Sequence, residues 1–178
     1  MMQMCKTGLI KLLVLLGQYG ENSNQSVCFG AKLVIYEGLI LAILLYGSES
    51  WCLTEKLYHK LRLFHARCAR AMCRVTRWHT WRHSISTEVL LERVGLKPID
   101  SYITRRQLQW AGHVWRMPFN RLPRKMLTCW VASPRPRGCP QFTYGRGLQK
   151  ALKRAELAKS EWTALASDRE KWRGLISV

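Results

Sequence analysis

The sequence predicts an all-α protein of about seven or eight helices. Apolar residues recur at spacings of three and four through most of the chain. No stretch of useful length shows the two-residue alternation of a strand. The breaks between periodic stretches fall at Gly, Pro and capping residues. With 178 residues and 48% apolar content, the chain can build a core as one modest domain or two small ones.

The first element is a short apolar run, Gly8 to Leu16, after Lys6. No small-x-small cleavage pattern follows, because Gln18-Tyr19-Gly20-Glu21 stands there, so a buried helix is expected rather than a signal peptide. The run is also far short of the ~20 residues that span a bilayer. The second runs from Ala31 to Tyr46, where Leu33, Tyr36, Ile40 and Ile43 fall at helical spacing. Lys32 and Glu37 argue against a membrane span, and no membrane partner is expected. This helix is expected to be buried nearly all round and to stop at Gly47, which suits the left-handed closing position. In Gly47-Ser48-Glu49-Ser50-Trp51 the serines are expected to bond local backbone, since the G-x-S-x-G of a nucleophile elbow is missing.

Thr54 is a candidate cap for a helix to about Val75. Leu57, Leu61, Phe64, Cys68, Met72 and Val75 form its core stripe, and Lys56, Lys60, Arg67, Arg70 and Arg74 make a basic ridge on another face. Arg77, Trp78, His79, Trp81, Arg82 and His83 follow in what reads as a connection. Ser86 or Thr87 opens a short helix through Val94, closed by Gly95, with Pro98 beyond. Asp100 or Ser101 caps a longer helix to Met117, ended by Pro118. Its apolar stripes are Ile103, Trp110, Val114, Met117 and Leu108, Ala111, Trp115, while Arg106, Gln109, His113 and Arg116 share a polar face. Pro123 suits the first turn of a helix through about Val131.

Ser133 to Pro140 is rich in proline and arginine, so an extended linker is expected. Beyond it, Leu148 to Leu157 reads as a basic helix, and Ser160 opens a last region with Trp162, Leu165 and Trp172 on one side and Asp168 as a cap. The expected organisation is apolar helices over 1–52, a basic helical domain over 53–132, a linker over 133–145 and C-terminal helices over 146–178.

Charge narrows the function. The chain holds 29 Lys and Arg against 11 Asp and Glu, a net charge of +18. Such an excess favours polyanionic partners, nucleic acid first. From Lys60 to Lys125 there are fifteen Lys or Arg and three acids, Glu88, Glu92 and Asp100, interleaved with Trp78, Trp81, Trp110 and Trp115. Guanidinium groups pair with phosphates and aromatic rings stack on bases. Helical spacing places Trp110 and Trp115 in the core, whereas Trp78 and Trp81 are open to either role. Charge of this kind implies salt-sensitive binding without a base code.

Enzymatic signatures are missing. The only aspartates are Asp100 and Asp168, and no tight carboxylate cluster could hold two metal ions about 3.5–4 Å apart. No glycine-rich phosphate loop occurs, and no cofactor is expected. Seven cysteines without an export signal read as reduced, mostly buried thiols of a cytoplasmic or nuclear protein. A zinc-bound module is a minor alternative resting on Cys68 and Cys73 with His59, His65, His79 and His83, but Cys68 and Cys73 point apart on one helix and His79-x3-His83 lacks a partner pair. The competing expectation puts Cys68 in the core and the histidines among solvated cations.

A family resemblance joins these features. AKLVIYEGLILAILLYGSESW, followed by a basic helix ending RCARAMCRV, resembles the region after the polymerase palm in LINE-type (non-LTR) retrotransposon reverse transcriptases. EVLLERVGLKPIDSYITRRQLQWAGHVWRMPFNRLPRKML is similar to the family's R-R-x-L-x-W-x-G-H-V-x-R-M segment and R-L-P, and TYGRGLQKAL and WTALASDREKWRGLI are similar to its C-terminal end. The likeness spans about Lys32 to Ile176. It implies a thumb-like helical bundle with a small C-terminal unit that grips template, primer, element RNA or target DNA. The family's Y-x-D-D aspartates and its endonuclease lie upstream of the matched region, so no catalysis is expected of this chain. A separate polymerase palm becomes a possible partner. Together, the cationic face and the resemblance give Lys60, Arg67, Arg70, Arg74, Arg77, Trp78, Arg105, Arg106, His113 and Arg116 as nucleic-acid-binding candidates. Arg137-Gly138-Cys139-Pro140 stands where the family has G-R-P, and residues 1–20 match loosely. Both departures fit a decayed element copy, an inert or structural remnant.

Overall fold

A computed structural model describes residues 29–132, 144–158 and 161–176. The expected Gly8–Leu16 helix and nearly all of the linker fall outside these residues. The described residues hold nine helical stretches and no strand, so the chain is all-α. They divide into two compact units: residues 29–46 with 60–98, and residues 47–59 with 99–176.

The first unit begins with α1, a continuous rod of Phe29–Ile35, a π-helical stretch Tyr36–Leu41 and a last turn Ala42–Leu44. The wider π turn brings Tyr36, Ile40 and Leu41 together into the core, with Leu45 just beyond the helix. The chain then reverses at Gly47, whose φ of 70° is the left-handed conformation that glycine adopts at least cost. α1 is not buried all round. Val34, at 69% exposure, Ile35, Leu39, Ile43 and Tyr46, at 84%, lie open on its other side.

α2 spans Glu55–Met72, and its 60–72 portion belongs to the first unit. Thr54 Oγ1 accepts from the Leu57 amide at 3.4 Å, as a cap should. The buried line is His65, Ala66, Cys68 and Ala69, while Leu61, Phe64 and Met72 of the expected stripe are only half-buried. His65 is therefore a core residue and not a solvated one. Its Nε2 donates to the Lys97 carbonyl at 3.0 Å, leaving Nδ1 to accept from the Tyr36 hydroxyl at 2.7 Å. Two short helices complete this unit. α3, Arg77–Arg82, replaces the expected connection because Thr76 caps it by accepting from the His79 amide. α4, Thr87–Val94, is capped by Ser86 and closed by Gly95 at φ 76°.

Three further helices end on a left-handed residue that is not glycine: Arg74 (φ 53°), Ser84 (φ 49°) and Glu156 (φ 57°). In each, and at Gly95, the next amide bonds the carbonyl five residues back: Val75 to Arg70, Ile85 to Thr80, Leu157 to Leu152 and Leu96 to Leu91. This closure satisfies carbonyls that a helix end leaves orphaned.

The second unit is organised round α5, Ile99–Trp115. It starts before the expected Asp100 or Ser101 cap and ends two residues short of Met117. Against α5 pack the 3-10 turn Ser48–Ser50 and the helices α6 (Leu122–Ala132), α7 (Tyr144–Arg154), α8 (Trp162–Ser167) and α9 (Arg169–Ile176). α7 begins four residues earlier than periodicity suggested. Leu108, Ala111, Val114, Leu127, Leu148 and Leu152 form its aliphatic core. Across it runs an aromatic series, with Trp115 5.3 Å from Trp162 and Trp162 6.2 Å from Trp172, favourable tilted separations. Arg124 lies 3.4 Å over the Trp115 ring. Arg154 donates to the Tyr58 hydroxyl at 2.7 Å, and both Arg154 and Lys150 stand 3.9 Å from Glu55.

Candidate nucleic-acid interface

The sequence-derived candidates fall on both units. Lys60, Arg67, Arg70, Arg74, Arg77 and Trp78 belong to the first, and Arg105, Arg106, His113 and Arg116 to the second. In the first unit, α2 and α3 carry four of the cations, and Arg74 stands in the turn between them. Lys60, Arg67, Arg74 and Arg77 are exposed and Arg70 is half-buried. Partial burial lowers the Arg70 pKa from its ordinary value, and the positive charges of Arg77 and Arg67 press it further down. Arg70 thus stands within electrostatic reach of both Arg67 and Arg77. Trp78 is 60% exposed, so its indole is not core; the Arg82 guanidinium sits 5.1 Å over one face. Trp81 is more open still.

In the second unit, α5 and α9 enclose a groove of about 390 Å³ lined by Gln109, His113, Arg116, Arg169, Trp172, Arg173 and Ile176. No carboxylate lies in this wall. The sequence explains how it is built. Asp168 caps α9, its Oδ1 accepting from the amides of Glu170 at 3.0 Å and Lys171 at 3.3 Å. These bonds hold the Asp168 carboxyl below the ordinary carboxylate range. Arg169 and Arg173 then recur one turn apart. Between them Trp172 turns inward, 1% exposed, and its Nε1 donates to the Leu108 carbonyl at 3.0 Å. The indole lies directly on Gly112, where a Cβ would overlap it. Arg116 Nη1 donates to the Ala166 carbonyl at 2.7 Å, which fixes that guanidinium at the groove's edge.

The motif QWAGHVWR, Gln109 to Arg116, thereby acquires a physical meaning. Gly112 seats Trp172, His113 and Arg116 line the groove, and Trp110 rests against His113 with ring centres 5.8 Å apart. Trp110 is 38% exposed, which corrects its expected place in the core. Arg105 is exposed and Arg106 half-buried, and neither lines the groove. Sequence reasoning missed Arg169 and Arg173; their i, i+4 placement beside an apolar Trp172 was the available signal.

Among the described residues, no group of three or more His, Cys, Asp or Glu comes together as a metal site. His79 and His83 stack at 4.3 Å, without a further ligand. The described cysteines Cys52, Cys68 and Cys73 are free thiols. Only Cys68 is buried, which corrects the expectation of mostly buried thiols for these three. No helix among the described residues is long and apolar enough to cross a membrane.

Comparison with known proteins finds one similarity. Over 147 residues the chain is 24% identical to a protein of Caenorhabditis elegans named as transposon-derived and uncharacterized. The similarity covers 80% of this chain and 52% of the relative, so the chain spans about half the relative's length. No family model matches, and no solved structure matches.

Proposed function

We propose that this chain binds the sugar–phosphate backbone of RNA or DNA through exposed helix cations, in the manner of the thumb and C-terminal extension of a LINE-type reverse transcriptase, without polymerase chemistry of its own. The observation that carries the reading is the placement of guanidinium groups near one another in each unit: Arg70 within electrostatic reach of Arg67 and Arg77 in one, and Arg116, Arg169 and Arg173 along one groove in the other. A polyanion paired with such groups releases its counterions, which adds to the binding free energy. The transposon-derived relative supports the setting. The test is retardation of labelled single-stranded and duplex RNA and DNA by the purified chain at low salt. Binding to at least one with little dependence on base sequence is expected; binding to none would overturn the proposal.

A different observation favours a second reading, a structural remnant whose α1 was shaped to pack on a polymerase palm. Val34, Ile35, Leu39 and Ile43 of α1, with Tyr46 just beyond its end, are exposed apolar side chains. Under this reading the chain self-associates when expressed alone, and Leu39→Gln with Ile43→Gln abolishes that association without unfolding it. Monodisperse monomer at high concentration would refute it.

A further inference from the structure

The α5–α9 groove carries a narrower assignment, which rests on the nucleic-acid reading above. One of its cations is held in place before any ligand arrives. Arg116 is bonded to the Ala166 carbonyl through one N–H, which leaves its remaining donors available to an anion. Arg169 and Arg173 flank Trp172 on a helix whose start is fixed by Asp168. Trp172 itself is a wall and not a stacking platform, because it is buried and its Nε1 is committed to Leu108. The stacking surface lies next door. His113 belongs both to the groove lining and to the pair with Trp110, so the partly exposed Trp110 indole stands one residue away from the cationic wall. A volume of about 390 Å³ lies at the low end of small-ligand sites, roughly 300–1,000 Å³. It admits a nucleotide-sized group and not a double helix.

We propose that this groove holds one nucleotide of a single strand, with its phosphate among Arg116, Arg169 and Arg173 and its base against Trp110. A base can reach Trp110 only when it is free of its own partner and stack, so the site discriminates single strands from duplex. Every base has a face that can stack on an indole, so the site tolerates any sequence.

The full chain, its variants and two probes test this: a fluorescein-labelled oligonucleotide of twelve uridines and a duplex of the same length, read by anisotropy at fixed salt. Trp110→Ala is expected to weaken single-strand binding by about tenfold or more, with Trp110→Phe restoring most of it and duplex affinity staying within twofold. Arg169→Gln with Arg173→Gln is expected to weaken single-strand binding and flatten its salt dependence. Both variants are first checked for an unchanged melting transition; the Arg pair, lying on an exposed surface, keeps the test open if Trp110→Ala fails to fold. Single-strand affinity within twofold of wild type in a folded variant would overturn the assignment. So would a parallel loss on duplex, or competition by polyglutamate as strong as by the oligonucleotide. Wild-type protein that binds neither probe would instead overturn the nucleic-acid reading itself.

Discussion

Gly112→Ala distinguishes two accounts of one glycine by sign. Inside a helix, alanine is favoured over glycine by about 0.8–1 kcal/mol, so a glycine with open space beside it yields a stabilised protein when replaced. Gly112 has no such space. An added Cβ would come closer than 3.0 Å to Nε1, Cδ1 and Cε2 of Trp172. The indole must move, yet it is 1% exposed and its N–H is bonded to the Leu108 carbonyl. Overpacking of this kind costs about 1–3 kcal/mol. An orphaned buried N–H adds about 1–3 kcal/mol, and complete ejection of the ring approaches a Trp→Ala truncation, about 3–5 kcal/mol. Set against a propensity gain of about 1 kcal/mol, the expected net loss is about 2–4 kcal/mol. Urea denaturation followed by tryptophan fluorescence measures it. Gly174→Ala on α9 is the internal control, because nothing lies within 4 Å of its added Cβ. That variant is expected to gain up to about 1 kcal/mol. A Gly112→Ala protein as stable as wild type, or more stable, would refute the seating of α9 on α5.

Burial pushes the Cys68 thiol up to about 11 from its ordinary 9.0. The unfolded thiol therefore ionises first, the folded chain binds more protons between about pH 9 and 11, and stability falls as pH rises through that window. The size is about 2–3 kcal/mol, and Cys68→Ala should flatten this arm of the profile of urea midpoint against pH. Tyr144, also raised by burial to about 12, steepens the decline above its ordinary 10.0 in both proteins. Asp168→Ala removes the carboxylate that accepts from Glu170 and Lys171, and its melting temperature should fall with Asp168→Asn between it and wild type. Because the folded Asp168 pKa is lowered, its contribution holds above the ordinary 3.8 and disappears as pH falls through the folded value. Tyr36→Phe leaves His65 Nδ1 buried without its donor and should cost about 1–3 kcal/mol in urea denaturation, with no effect on nucleic-acid affinity.

Much of the fold was legible from local rules. Periodicity placed the rods, and Thr54, Ser86, Gly47, Gly95 and Asp168 behave as their side chains and backbone freedom require. Where reading failed, the deciding interaction was either backbone-driven or tertiary. Arg74, Ser84 and Glu156 close helices in the left-handed conformation, a position for which glycine is the usual signal and these residues give none. The start of α3 was hidden because Thr76, a single capping residue, outweighs a run that looks too polar and aromatic to be ordered. The exposed row on α1 shows the limit of hydropathy: a mostly apolar helix says that much of its surface favours burial, not which side packs into this unit. For the candidate site, helical spacing put His113 and Arg116 on one polar face, and both are exposed. The i, i+4 spacing of Arg169 and Arg173 marked a second cationic face, but not its neighbour, because the groove arises only when Trp172 settles on Gly112 and brings α9 beside α5.

A chain with 29 Lys and Arg against 11 acids spends much of its surface on one sign of charge. Such a surface favours a compact folded state less than a balanced one would, and a polyanionic partner offsets the self-repulsion. The most direct test is the salt dependence of nucleic-acid binding. The slope of log K against log salt concentration should be linear and steeply negative, on the order of −0.7 for each single-strand phosphate contacted. It should become shallower when Arg67 and Arg77 are replaced by glutamine. Affinity that does not change with salt, or undetectable affinity at the lowest salt tried, would contradict the claim that these helices carry a phosphate-binding surface.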